Sequence, residues 1–321
     1  MTVGQWLDIW ESDYLKGVKP YTVNSYAATI RNHIKPAMGA VRLEVLSAHT
    51  IQQFYNRLSE PTKERKALSP KTIKNIHGVL HKALQQAVKI SYLRFNPAEA
   101  CELPRIVKRE MKVLDEDHSK DFMQAVKGDP LENLLLIDLF TGLRQGELLG
   151  LTWDCVDFDS GLITIKQQLQ QVQVKGDFSY HLSPLKNDKP RTITPAAYVM
   201  QLLKNQRTEQ LEMRLQVGDL WYNEFALVFT NEVGRPLSRR TLYKHFKKIA
   251  IEIGLPDLRF HDLRHSYAVA SIRGGDDVKT VQTNLGHATA AFTLDVYGHA
   301  TDQMKRDSAA RMDAYIKSIS S

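Results

Sequence analysis

Two cysteines in 321 residues, Cys101 and Cys155, are too few and too far apart for a disulfide framework or a thiolate zinc site, and they fit a reducing compartment. No uninterrupted apolar run reaches the roughly 18 residues of a membrane helix. The opening segment MTVGQWLDIWESD has no basic stretch followed by an apolar one, so neither a secreted nor a membrane protein is expected. Internal repeats are missing, and the Gln-rich run 167–173 is the one biased tract. Asp and Glu do not cluster as two-metal sites require, so neither a metal nor any other cofactor is expected.

What is present is ordinary globular material, 43% hydrophobic and 25% charged, in a chain long enough for two cores. Its formal charge of +7 is unevenly spread. Residues 1–110 carry 17 basic and 9 acidic groups, a net of +8, while the remainder is nearly neutral. Such asymmetry suggests a polyanion-facing part joined to a neutral one.

Residues 1–103 read as helices without a strand signal, which predicts a small bundle. Thr2 with Gln5 and Thr50 with Gln53 have capping-box spacing, and Ser69 places an N-cap before Pro70. Beyond it Ile73, Ile76, Leu80, Leu84 and Val88 recur every three or four residues and predict a buried stripe, with Lys71, Lys74, His77, His81 and Lys82 mostly outside it. Segment 22–34 likewise mixes Tyr26, Ile30 and Ile34 with Asn24, Arg31 and His33. Residues 104–113 break the pattern with Pro104 and basic residues that include Arg105 and Lys108, and read as an interdomain linker suited to a strap across a phosphate backbone.

From 114 to 321 the pattern is mixed. Asp115 can cap a helix, and 131–141 is apolar enough for a buried one ending near Gly142. Strand-like runs lie at 162–166, around Val172 and Val174, and at 226–230, while 181–195 looks like a turn between extended arms. Thr194-Pro195 opens another helix, and Ser238 caps one whose core face is Leu242, Phe246, Ile249 and Ile253, stopped by Gly254. Everything after His261 looks helical. A last helix over about 304–319 places Met312, Tyr315, Ile316 and Ile319 on one side.

Four short signatures follow in order: TGLRQGE (141–147), HDLRH (261–265), LGH (285–287) and DVYGH (295–299). In the second, His261 and Arg264 share a helix face and can meet one anion. Gly142 and Gly146 beside Arg144, and Gly286 before His287, suit tight turns where backbone approaches a ligand.

The ordered set Arg144, His261, Arg264, His287 and Tyr297 resembles the active site of the tyrosine recombinases, the phage-integrase family. Integrases of conjugative transposons and temperate phages are the most similar in character, and the resemblance covers nearly the whole chain. It implies a core-binding, SAM-like all-α bundle followed by a mainly α catalytic domain with a small antiparallel β-sheet. The bundle begins within the first few residues, without the small arm-binding domain that opens many such integrases. That layout, if native, lies closer to the chromosome-dimer resolvases, an alternative reading.

The chemistry asks for these residue types. A phosphodiester attacked by a phenol passes through a five-coordinate phosphorane with extra negative charge, which the forked guanidiniums of Arg144 and Arg264 can hold. Tyr297, a poor nucleophile at its free pKa of about 10, needs help from His261 and the arginines. His287 completes the set. In the family a lysine on a β-hairpin protonates the leaving 5′ oxygen, and Lys186 looks like it, with Lys189 and Lys175 in the same strand-rich region as the alternatives. Glu147 is expected to hold Arg144, Asp262 and His265 to give structural support, and His299 to orient the tyrosine segment.

The resemblance further implies double-stranded recombination sites as partners, read with Lys71, Lys74, His77, His81, Arg31, Arg105 and Lys108. It also implies a homotetramer on synapsed DNA that is a monomer or weak oligomer when free, an accessory directionality factor, and a bacterial cytoplasm with nucleoid association. The rivals are a type IB topoisomerase-like enzyme and, more remotely, a catalytically idle DNA-binding protein of the same fold.

Overall fold

The structure is a computed structural model that describes residues 1–62, 65–107, 112–174, 177–185, 189–286 and 302–320. It divides into two compact units, Met1–Arg109 and Glu110–Ser321.

In the first unit α1 (Val3–Tyr14) opens at a complete capping box: Gln5 N donates to Thr2 Oγ1 at 3.2 Å and Thr2 N to Gln5 Oε1 at 2.8 Å. Helix α2 (Pro20–Thr29) runs through a π turn at Ile30–Ile34 into α3 (Lys35–Met38), which buries Ile30, Ile34 and Met38. Helix α4 (Ala48–Ser59) begins one turn earlier than the Thr50–Gln53 spacing predicts. Ser47, in extended backbone, already accepts from Thr50 N at 3.1 Å and so caps the helix first. Helix α5 (Pro70–Lys89) is capped by Ser69, as its sequence predicts. Its buried stripe contains Ile73, Ile76, Leu80 and Leu84, but Ala87 takes the place expected for Val88, which is only half-buried. Small Ala83 and Ala87 leave room for α1, whose Trp6 is fully buried and donates from Nε1 to the Ala83 carbonyl at 3.0 Å.

The second unit is built on α7 (Glu132–Thr141), almost wholly buried and ended by Gly142 in the left-handed region, φ 60°. Around it lie α6 (Glu116–Ala125), α8 (Gln145–Leu149), α9 (Ala197–Val217), α10 (Arg239–Glu252), α11 (Phe260–Arg273) and α12 (Val278–Leu285). A separate C-terminal helix spans Asp302–Ile319. Among the described residues five strands form two antiparallel sheets: β1 (Val156–Asp157), β2 (Leu162–Ile165) and β5 (Arg191–Ile193) in order β1-β2-β5, and a hairpin of β3 (Gln167–Val174) with β4 (Asp177–Pro184). The extended arms expected around 181–195 therefore do not pair with each other. The first joins β3, while the second adds to β2 through Ile163–Ile193 and Ile165–Arg191.

Residues 226–230 are not the strand their apolar run suggests. Leu227, Val228 and Phe229 are buried, but Leu227 and Thr230 make isolated antiparallel bridges, to Thr152 and Pro236, and no continuous ladder, while Ala226 has φ 51° and the Gln210 amide donates to the Leu227 and Val228 carbonyls at 3.0 and 3.1 Å. Among the described residues no helix is long and apolar enough to cross a membrane.

Trp6→Ala removes both an indole and the α1–α5 hydrogen bond. It is expected to destabilise the first unit by about 3–5 kcal/mol, read as a lower urea midpoint in full-length protein.

Candidate active site

The site gathers at the C-terminal end of α12, where a helix leaves carbonyls without intrahelical partners. Three guanidiniums meet them. Arg191 Nε donates to Asn284 O at 2.8 Å, Arg264 Nη2 to Leu285 O at 2.7 Å, and Arg144 Nη2 to Gly286 O at 2.8 Å. Cations at a helix C-terminus are further favoured by its dipole. Gly286 itself has φ 66°, and a Cβ there would lie 2.9 Å from an Arg191 nitrogen, so the turn requires glycine both for its backbone and for its neighbour.

Arg264, on α11, is 2% exposed and donates through its other terminal nitrogen to Gly142 O at 2.7 Å, which ties the turn after α7 to the end of α12. Gly142 has no room for a side chain: a Cβ would meet the Tyr267 ring at 2.7 Å and Leu285 at 2.8 Å. Arg144 precedes α8. Its Nη1 reaches Glu147 Oε1 at 2.7 Å, and its backbone N–H donates to Glu147 Oε2 at 3.1 Å. Its side chain remains 37% exposed, so it is both anchored and open to a ligand. Glu147, 3% exposed, also receives Arg191, at 3.2 and 2.6 Å. Burial would raise the Glu147 pKa, but hydrogen bonds and charge from Arg191 and then Arg144 outweigh it and hold the carboxyl below its usual range.

His261 lies one turn before Arg264, its ring 4.9 Å from that of His265 in an edge-on arrangement. Partial desolvation, then His265 and Arg264, push its pKa down to about 4, so near neutral pH it is an uncharged base able to accept a proton. Asp262 is buried and caps α11, accepting from Arg259 N at 2.8 Å and from its guanidinium at 2.6 Å. Asp138 lies wholly buried in α7 with neither carboxyl oxygen hydrogen-bonded. Burial drives its pKa well above the usual carboxylate range despite the charge of Arg264.

Of the residues expected from the sequence, the structure brings together Arg144, His261 and Arg264, with Glu147, Asp262 and His265 supporting them. Lys186, His287, Tyr297, His299 and Lys108 lie outside the described residues. Lys71 and Lys74 are exposed on α5, and Arg31 in the π turn and Arg105 beyond the bundle helices are exposed as well. His77 and His81 are half-buried: His77 Nδ1 lies 3.1 Å from the Tyr55 hydroxyl, and His81 lies 3.9 Å from Glu99. Sequence reading missed Arg191, whose signal was only a basic residue in KPRTITP. It also missed a basic surface on α10, where Arg240, Tyr243, Lys244 and Lys248 are exposed around an open groove.

A SAM-like helical unit and a mainly helical unit with arginines converging on one turn define an integrase-type DNA recombinase. The chain belongs to the phage integrase family: the family's model matches residues 112–304, and that of the phage integrase N-terminal SAM-like domain matches 2–59. It is a tyrosine recombinase, an enzyme of site-specific recombination. A relative from Caldanaerobacter subterraneus subsp. tengcongensis, "Tyrosine recombinase XerC-like", is 30% identical over 98% of this chain and 83% of its own length. The ICEBs1 integrase of Bacillus subtilis is 25% identical over 92% of this chain and 78% of its own. Among solved structures, the Tn1549 transposon integrase in complex with a circular intermediate DNA superposes with TM-score 0.79 at 21% identity, covering 97% of this chain and 99% of that one.

His33, His77, His261 and His265 all have pKa values lowered first by desolvation. The unfolded chain takes up protons near 6.5 that the folded chain refuses until lower pH, so acid favours unfolding. Melting temperature is expected to fall as pH drops from about 6.5 towards 4, and His261→Gln is expected to flatten that slope.

Proposed function

We propose that this recombinase integrates and excises a mobile DNA element, and that Arg144 and Arg264 clamp the scissile phosphate while Tyr297 attacks it. The observation that carries this reading is the pair of guanidiniums held on neighbouring carbonyls, Gly286 and Leu285, immediately ahead of His287.

The reaction balances without an energy source. The Tyr297 hydroxyl oxygen forms a bond to phosphorus, its proton passes to a base for which His261 is suited, and the bond from phosphorus to the 5′ oxygen breaks. Lys186 supplies the proton that the 5′ oxygen takes. A 3′-phosphotyrosyl link and a free 5′ hydroxyl result. Attack by the 5′ hydroxyl of a partner duplex reverses these steps and leaves a Holliday junction after the first exchange. Pre-positioned guanidiniums stabilise the phosphorane more than the ground state, because charge develops where they already point.

DNA is the expected partner: two of the similar solved proteins are bound to it, one to a circular intermediate and one to a core site. Exposed Lys71, Lys74, Arg31 and Arg105 in the first unit and the α10 surface in the second suit phosphate contacts, with a steep loss of affinity in salt. Met312, Tyr315, Ile316 and Ile319 of the C-terminal helix are exposed by 49–65%, which suits docking on a neighbouring protomer in a tetramer on synapsed sites. An accessory factor would set direction, and the reaction would take place on the nucleoid in the cytoplasm. Chromosome-dimer resolution is the second reading, and the same chemistry would serve it. Exchange between element ends, as opposed to two identical chromosomal sites, separates the two.

Incubation with nicked suicide duplexes is expected to trap a covalent adduct at the 3′ phosphate, undiminished by EDTA and absent in Tyr297→Phe. An adduct that persists in Tyr297→Phe would overturn the assignment of the nucleophile.

A further inference from the structure

We propose that Arg191 is a positioning residue for strand cleavage: by neutralising Glu147 it leaves the charge of Arg144 available to the phosphate, and it fixes the turn that leads into His287. The inference rests on the clamp role of Arg144 proposed above.

The argument starts from a count of charges. Glu147 is almost fully buried and faces two guanidiniums, Arg144 at 2.7 Å and Arg191 at 2.6 Å. Were Arg144 its sole partner, the pair would be neutral, and the carboxylate would hold the cation by a strong charge-assisted bond in a poorly solvated site. With Arg191 present the three groups carry one net positive charge. Arg191 is the better placed partner of the carboxylate, since it is 9% exposed and uses both terminal nitrogens, whereas Arg144 gives one and keeps its outer face open.

Arg191 also joins three pieces of the site. It opens β5, five residues after Lys186 in the sequence, and is held in register against Ile165. Its Nε bonds Asn284 O, and its guanidinium lies on Gly286 so closely that no Cβ fits between them. The strand that follows the Lys186 segment is thereby fastened both to the Arg144 carboxylate and to the turn before His287. A lysine could keep the charge, but it could not make the fork and the carbonyl bond together.

The test measures single-turnover adduct formation on saturating suicide DNA, with DNA affinity and melting temperature in parallel. Arg191→Ala is expected to slow adduct formation about 10- to 100-fold, as losses among groups that orient a reactive residue usually do, while Kd changes by less than about threefold. Arg191→Lys is expected to fall between. The discriminating variant is Arg191→Ala combined with Glu147→Gln: removing the carboxylate charge frees Arg144 and is expected to recover part of the lost rate, which a merely structural role would not permit. If Arg191→Ala does not fold, Arg191→Lys with and without Glu147→Gln makes the same comparison. Undiminished adduct formation in Arg191→Ala, or a double variant no faster than the single one, overturns the inference alone. A wild-type protein that forms no adduct overturns the clamp reading and this inference with it.

Discussion

Three arginines, drawn from positions 144, 191 and 264, terminate on three consecutive carbonyls at the end of α12, those of Gly286, Asn284 and Leu285. The rest of the second unit serves this convergence. Buried α7 delivers Gly142, whose carbonyl takes the other arm of Arg264. The β2–β5 pairing delivers Arg191, and α11 places His261 beside its arginine. Helix C-termini need donors, and here the donors are cations that a phosphate can also recruit. The same bonds that complete the fold thus pre-orient the groups that chemistry requires.

Concentrating cations in a half-desolvated site is costly unless counter-charge is placed with care. One carboxylate, Glu147, is shared between two guanidiniums, and burial pushes the pKa of a second buried acid, Asp138, well above the usual carboxylate range. The neighbouring His261 is kept uncharged, which leaves it able to take a proton instead of adding another positive charge. Net positive charge survives at the one place where an additional phosphate charge would develop.

Much of this was legible in the sequence. Caps at Thr2, Ser69, Asp115 and Ser238 and the glycine stop at Gly142 are local signals, because a side chain and a backbone N–H three residues away decide them. The triplet spacing of His261 and Arg264 likewise declares a shared face. What the sequence hid depends on partners far along the chain. The run 226–230 looks like a strand, but it makes isolated bridges to Thr152 and Pro236 and lends two carbonyls to the Gln210 amide. The extended arms near 181–195 belong to different sheets, because the chain changes partners after Ile165. Arg191 gives no local sign of its role, since both its acceptors are more than 40 residues distant.

The most direct test of the central claim is a structure of the Tyr297→Phe protein on an intact recombination site. The account predicts that Arg144 and Arg264 each donate to non-bridging oxygens of one phosphate while keeping their bonds to Gly286 and Leu285. Guanidiniums that contact different phosphates, or that abandon the α12 carbonyls to reach DNA, would contradict it.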